Sequence, residues 1–288
     1  MKKIHPKNHH VNYLCKIYPS MVRLAKETPM PKGLKQKLKD RPTRGIIQGL
    51  TVSSGIRLQE TIARLDPDQV PYFVTLTYPN EWNQDWRKWK IDLNNFQRAL
   101  KDDFPGFKGA LWRLEAQKRG APHYHILVYV DGTDQATLRA WTAKRWYKIV
   151  GSGDKKHLDA GTQVDVVENH QNRTMKTAMA YIGKYVGKTG VNNDSAIFGK
   201  PVGRFWGIWG KENILIDPEK ITLDKESFNK ARRALKTFRK KNTSKKLHSK
   251  SYSMTNKGKF QKTEPGLRAF MDSKNSHRLI DYADPPPF

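Results

Sequence analysis

The chain alternates between two kinds of periodicity in its middle part. Residues 72–78, Tyr-Phe-Val-Thr-Leu-Thr-Tyr, are β-branched and aromatic and stop at Pro79-Asn80, which predicts a strand and its terminator. From 81 to 103 the apolar period lengthens. Trp82, Trp86, Trp89, Leu93, Phe96 and Leu100 recur at steps of three and four, the stripe of an amphipathic helix. At that spacing the tryptophans read as core in preference to a base-stacking platform. Pro105-Gly106 ends the helix. Residues 109–117 and 123–130 predict two more strands joined by a turn at Lys118-Arg119-Gly120-Ala121-Pro122. A second helix is predicted over 134–150, a fourth strand over 163–168 and a third helix over 174–188, closed by Gly190 and Asn192-Asn193. The order β-α-β-β-α-β-α predicts an α+β domain with a ferredoxin-like antiparallel sheet and helices largely on one face.

The two ends read differently. Pro29-Met30-Pro31-Lys32-Gly33 is a loop signal, and residues 48–58 fit a short strand or a helix equally well. A basic helix is predicted over 224–241, with Phe228, Leu235 and Phe238 at roughly helical spacing. Residues 242–262 are rich in Lys, Ser and Asn and read as a flexible basic tail. These shifts divide the chain into a basic N-terminal extension (1–68), a central domain (69–216) and a basic helix with its tail (217–288).

Composition now bears on the partner. Lys and Arg total 54 against 27 Asp and Glu, a formal net charge of +27 over 288 residues. An acidic partner offsets the self-repulsion of such a chain, with nucleic acid ahead of an anionic membrane surface. The central domain is the least biased part, with 22 basic and 14 acidic residues, and it holds all eight tryptophans. No apolar run approaches the ~18 residues of a spanning helix, so no membrane partner is expected. No apolar stretch follows the Met1-Lys2-Lys3 start, so no secretory leader is expected either. Cys15 is the sole cysteine. It excludes intramolecular disulfides and Cys-based zinc sites, and it points to a reducing, cytoplasmic location.

The third strand opens with His123-Tyr124-His125. Side chains two apart on a strand share a face, so the two imidazoles point one way and Tyr124 the other. Folding the hairpin about Gly120 sets residue 115 opposite 125 and 117 opposite 123. Glu115 then stands beside His125, and Gln117 beside His123. Two imidazoles and a carboxylate on one sheet face, without thiolate, suit Mg²⁺ or Mn²⁺ when phosphate oxygens complete the shell. A register slip of one residue would put Glu115 on the opposite face. The pair His9-His10 has no carboxylate nearby in sequence and reads as surface.

Tyr181-Ile182-Gly183-Lys184-Tyr185-Val186-Gly187-Lys188 repeats Tyr-x-x-Lys. On a helix Tyr181 and Tyr185 stand one turn apart on one face, and Lys184 and Lys188 form a second such pair. A phenol is a weak nucleophile because its usual pKa is about 10. A neighbouring ammonium favours the phenolate, and a metal ion makes phosphorus more electrophilic. Tyrosine, lysine and metal together can attack a phosphodiester. The octet by itself also fits amphipathic core residues flanked by solvated lysines. Gly187-Lys188-Thr189 imitates the end of a phosphate-binding loop, but the pattern needs Gly at the position of Ile182, so an ATPase site is rejected.

Three elements together resemble the rolling-circle replication initiators of the HUH endonuclease superfamily, over roughly residues 70–215. The strand Phe73-Val74-Thr75-Leu76-Thr77-Tyr78 looks like the first motif, and Pro122-His123-Tyr124-His125-Ile126-Leu127-Val128 like the second. The octet is similar to the paired-tyrosine third motif of microvirus, phage and plasmid initiators. The stretch 203–210 also looks like a segment that follows the third motif in some of these proteins. The resemblance implies an HUH endonuclease fold, with His123, His125 and Glu115 as ligands of Mg²⁺ or Mn²⁺. It further implies Tyr181 and Tyr185 as nucleophiles, accompanied by Lys184 and Lys188. The implied activity is nicking and joining of single-stranded DNA at a replication origin through a 5′-phosphotyrosine, inside a bacterial host cell. With no helicase domain in the chain, a host helicase and polymerase become the expected partners. A tyrosine transposase or relaxase of the same superfamily, and a non-catalytic single-strand binder, are the competing readings.

Overall fold

The computed structural model describes residues 11–27, 47, 49–167, 197–242 and 266–285. In chain order the strands are β1 (Asn12–Tyr18), β2 (Met21–Glu27), β3 (Tyr72–Thr77), β4 (Phe107–Ala116), β5 (Pro122–Val130), β6 (Thr162–Val166), β7 (Trp206–Trp209), β8 (Glu219–Leu223) and β9 (Leu267–Phe270). The helices are α1 (Val52–Ala63), α2 (Trp86–Asp103), α3 (Gln135–Val150), α4 (Lys155–Ala160), α5 (Lys211–Ile214), α6 (Lys225–Asn242) and α7 (Ser273–Ala283). None of the described helices is long and apolar enough to cross a membrane.

The chain divides into two compact units, one of residues 44–215 and one built from 1–43 together with 216–288. This division differs from the three parts drawn at 68 and 216. The stretch 44–68 folds with the central domain, and the two ends of the chain pair with each other. The second unit is a four-stranded antiparallel sheet in the order β8-β1-β2-β9. Cys15, Ile17, Val22 and Leu24 from its central hairpin bury against Phe228, Ala231 and Leu235 of α6 and Ile280 of α7. The basic helix expected at 224–241 is therefore present and amphipathic. Most of the tail expected at 242–262, and the His9-His10 pair, lie outside the described residues.

The central unit is an α+β fold on a five-stranded antiparallel sheet, order β6-β3-β5-β4-β7. Its first four strands in sequence stand in the crossed order of a ferredoxin-like sheet, with α2 joining β3 to β4 and α3 joining β5 to β6. One sheet face carries Val74, Leu76, Ala110, Trp112, Leu114, Tyr124, Ile126 and Val128. It buries against Trp89, Leu93, Phe96 and Leu100 of α2 and Leu138 and Trp146 of α3. The tryptophan stripe is thus core, as its spacing predicts. The helix predicted from residue 81 begins instead at Trp86. Asn83 Oδ1 accepts from the backbone N–H of Asp85, and Asp85 Oδ1 caps the helix by accepting from that of Arg87. These short polar side chains hold residues 83–85 in a turn.

The other face is half covered. Residues 52–63, within the stretch whose local pattern fits strand or helix, form α1, capped by Thr51. Leu58 and Ile62 of α1 and Ile214 of α5 bury against Phe73, Leu111, Leu127 and Tyr129. Helices therefore lie on both faces, but α1 covers only one end of the second. The remaining end of that face bears the polar residues described next.

Candidate active site

The β4–β5 hairpin sets the register. Gly120 donates its N–H to Gln117 O at 2.8 Å and turns the chain with a positive φ of 84°. Gln117 N–H in turn donates to Ala121 O at 2.9 Å, so the loop is three residues, 118–120. Its tip is pinned by Arg119, whose guanidinium donates to Tyr78 O, Pro79 O and Asn80 O at the end of β3. The hairpin consequently folds about Arg119, not Gly120. Glu115 stands opposite His123, and Arg113 opposite His125. Gln117, expected beside His123, falls in the turn. The shift is two residues, so it preserves the face: Glu115, His123 and His125 remain together.

The rows across the sheet define the site. Thr77, His123 and Glu115 form one row, and Gln163, Thr75, His125, Arg113 and Trp206 form the next. The imidazole centroids of His123 and His125 are 4.3 Å apart. His125 Nδ1 lies 3.3 Å from Thr75 Oγ1, and its Nε2 lies 3.6 Å from Glu115 Oε2. Its ring also stacks on Phe73, with centroids 5.4 Å apart. Glu115 and Arg113 are both buried, and Arg113 Nε lies 3.2 Å from Glu115 Oε1. Two strand neighbours of the His pair thus escaped the sequence reading. Thr75 orients one imidazole, and Arg113 balances the buried carboxylate. Both share the odd-numbered parity of the site on their strands, which is the signal that could have found them.

His123 Nε2 is buried and has no hydrogen-bond partner. Burial, reinforced by the neighbouring His125 and opposed by Glu115, pushes its pKa down to about 4. A neutral imidazole with a buried, unshared nitrogen is the form that ligates metal. Oxygen and imidazole donors on one face fit Mg²⁺ or Mn²⁺ in kind. Among the described residues no group of three or more His, Cys, Asp or Glu side chains is arranged to hold a metal ion. The carboxylate that would complete one is turned to Arg113 and His125. Tyr181, Tyr185, Lys184 and Lys188 lie outside the described residues.

Residues 71–190 match the model of a family of replication-associated proteins, the ORF2 type. The matched stretch runs from β3 through β6, includes both histidine rows and extends over the tyrosine octet. The match supports a replication initiator that acts on DNA. No curated protein and no solved structure matches the chain.

Proposed function

We propose that the chain initiates rolling-circle replication as an HUH-type endonuclease, nicking and rejoining single-stranded origin DNA through a covalent tyrosine intermediate. The observation that carries the reading is one sheet face. It holds His123, His125 and Glu115 in adjacent rows, inside the stretch that matches replication-associated proteins. His123 and His125, with Glu115, would hold Mg²⁺ or Mn²⁺. When bound, the ion would draw charge from a phosphate oxygen and make phosphorus more electrophilic. Thr75 holds the His125 ring in place, and Arg113 sets the orientation of the carboxylate. Tyr181 or Tyr185 would attack the phosphorus, forming a 5′-phosphotyrosine and releasing a 3′-hydroxyl that primes synthesis. Lys184 and Lys188 would favour the phenolate. A second tyrosine can attack the regenerated origin while the first still holds the strand. Unwinding of the duplex and copying of the strand fall to a host helicase and polymerase.

The test is a labelled single strand carrying the origin, incubated with the protein and Mn²⁺, followed by denaturing electrophoresis. A denaturant-resistant protein–DNA adduct is expected. His123→Ala should reduce adduct formation at least ~100-fold, the scale on which loss of a metal-site group acts, while most salt-sensitive binding persists. Tyr181→Phe and Tyr185→Phe assign the nucleophile. No adduct with any divalent metal would leave a single-strand binder and sink the enzymatic reading.

A further inference from the structure

A second feature lies on the same sheet face, two strands from the His pair. Ile47, Leu50, Ser54, Arg57, Arg204 and Trp206 line a cavity of about 270 Å³. It lies between α1, the loop before β7 and β7 itself. Both guanidiniums are exposed, and no acidic side chain lines the cavity. Neither Arg57 nor Arg204 makes an ion pair among the described residues. Such a lining has unmatched positive charge beside an aromatic wall.

The walls are fixed by their own contacts. Trp206 Nε1 donates to Ser54 Oγ at 2.9 Å, tying the indole to α1. Lys90 Nζ donates to Arg204 O at 2.6 Å and holds the loop. Gly207 lets β7 lie close to the sheet core, because a Cβ there would come within 2.7 Å of the Trp112 indole. The register places the cavity relative to the site. Trp206 pairs with Arg113 and Arg113 with His125, so Trp206 and His125 share a face about 10 Å apart at ordinary strand spacing.

Paired guanidiniums recognise phosphate through charge-assisted, forked hydrogen bonds, and an indole beside them offers a surface to a base. Phosphate and base together describe a nucleotide. A single nucleotide suits the size of the cavity, which lies near the low end of the ~300–1,000 Å³ of small-ligand sites. We propose that this cleft binds one nucleotide of the single DNA strand, its phosphate between Arg57 and Arg204 and its base against Trp206. The adjacent histidine rows would receive the neighbouring scissile phosphate. That last placement rests on the nicking function proposed above, whereas strand binding in the cleft does not.

The experiment uses the full chain and a single-stranded oligothymidylate carrying 5-iododeoxyuridine. Irradiation of the complex should crosslink a peptide that contains Trp206. The double variant Arg57→Ala, Arg204→Ala changes two exposed side chains, and an unchanged thermal melt checks its fold. It should bind the strand about tenfold or more weakly, the order of one or two charged hydrogen bonds. Its log-log salt dependence should be shallower by about 0.7 for each phosphate that is no longer neutralised. The Trp206 crosslink should fall in parallel. Unchanged affinity in the variant, or crosslinks confined to peptides without Trp206, would overturn the proposal. Displacement of the strand by an equimolar mononucleotide would assign the cleft to free nucleotides and overturn it equally. These are binding measurements, so a failed adduct assay would remove the nicking function and leave the cleft's outcome readable.

Discussion

His123 and Glu115 show how two neighbouring polar groups are treated oppositely by their surroundings. Glu115 is buried with a guanidinium 3.2 Å away, so it can remain charged inside the fold. His123 has no such partner, and burial holds its imidazole neutral down to about pH 4. The consequence for stability has a definite sign. Below about pH 6.5 the unfolded chain protonates this histidine, and the folded chain does not until about pH 4. The unfolded state therefore binds more protons in that window, and folding stability falls as pH falls through it. In metal-free protein, denaturant melts at pH 7, 5.5 and 4.5 should show a loss of stability that His123→Gln reduces. Equal pH dependence in the two proteins would mean that His123 titrates normally in the fold.

At the scale of elements, the second face of the central sheet is split between a packing half and a chemical half. Leu58 and Ile62 of α1 press on Phe73, Leu111 and Leu127, one row beyond Thr75, Arg113 and His125. Leu58 is 2 % exposed, so Leu58→Ala should cost roughly 2–5 kcal/mol, the range for a buried leucine truncated to alanine. A fall in the denaturant midpoint without a change of slope would check this. The same substitution loosens the helix that carries Ser54 and Arg57, so strand affinity should fall with stability. A stable variant with full affinity would show that α1 is not held by this contact.

The whole molecule separates charge from chemistry. Residues 44–215 hold 25 basic and 17 acidic residues, a net +8, while the unit formed by the two ends holds 29 and 10, a net +19. The larger part of the electrostatic grip on DNA therefore belongs to the unit without the histidine rows. A fragment of residues 44–215 should bind single-stranded DNA with a shallower salt dependence than the full chain, as titrations at several salt concentrations would show. The interleaved order β8-β1-β2-β9 adds a folding consequence. Deleting residues 1–43 removes the two central strands and leaves β8 and β9 with no partner in the sheet. Limited proteolysis of a 44–288 fragment should cut readily between residues 216 and 288 and spare 49–167. Protection of 219–283 equal to that in the full chain would count against the two-unit architecture.

What the sequence determined by itself is local and periodic. The four strands and two helices of the central sheet follow from steps of two and of three to four. The shared face of His123 and His125 follows from strand geometry alone. Tertiary structure decided whatever depends on partners far apart in the chain. The pairing of β1 and β2 with β8 and β9 joins segments about 200 residues apart, and no local pattern records such a choice. The folding of residues 52–63 as α1 was decided by burial of Leu58 and Ile62, because that stretch alone fits either state. The placement of Glu115 opposite His123 was decided by a three-residue loop and the grip of Arg119 on the end of β3. Parity along a strand survives a shift of two residues, which is why the face was legible from sequence. The individual neighbours depend on where the turn closes, and only the folded hairpin fixes that.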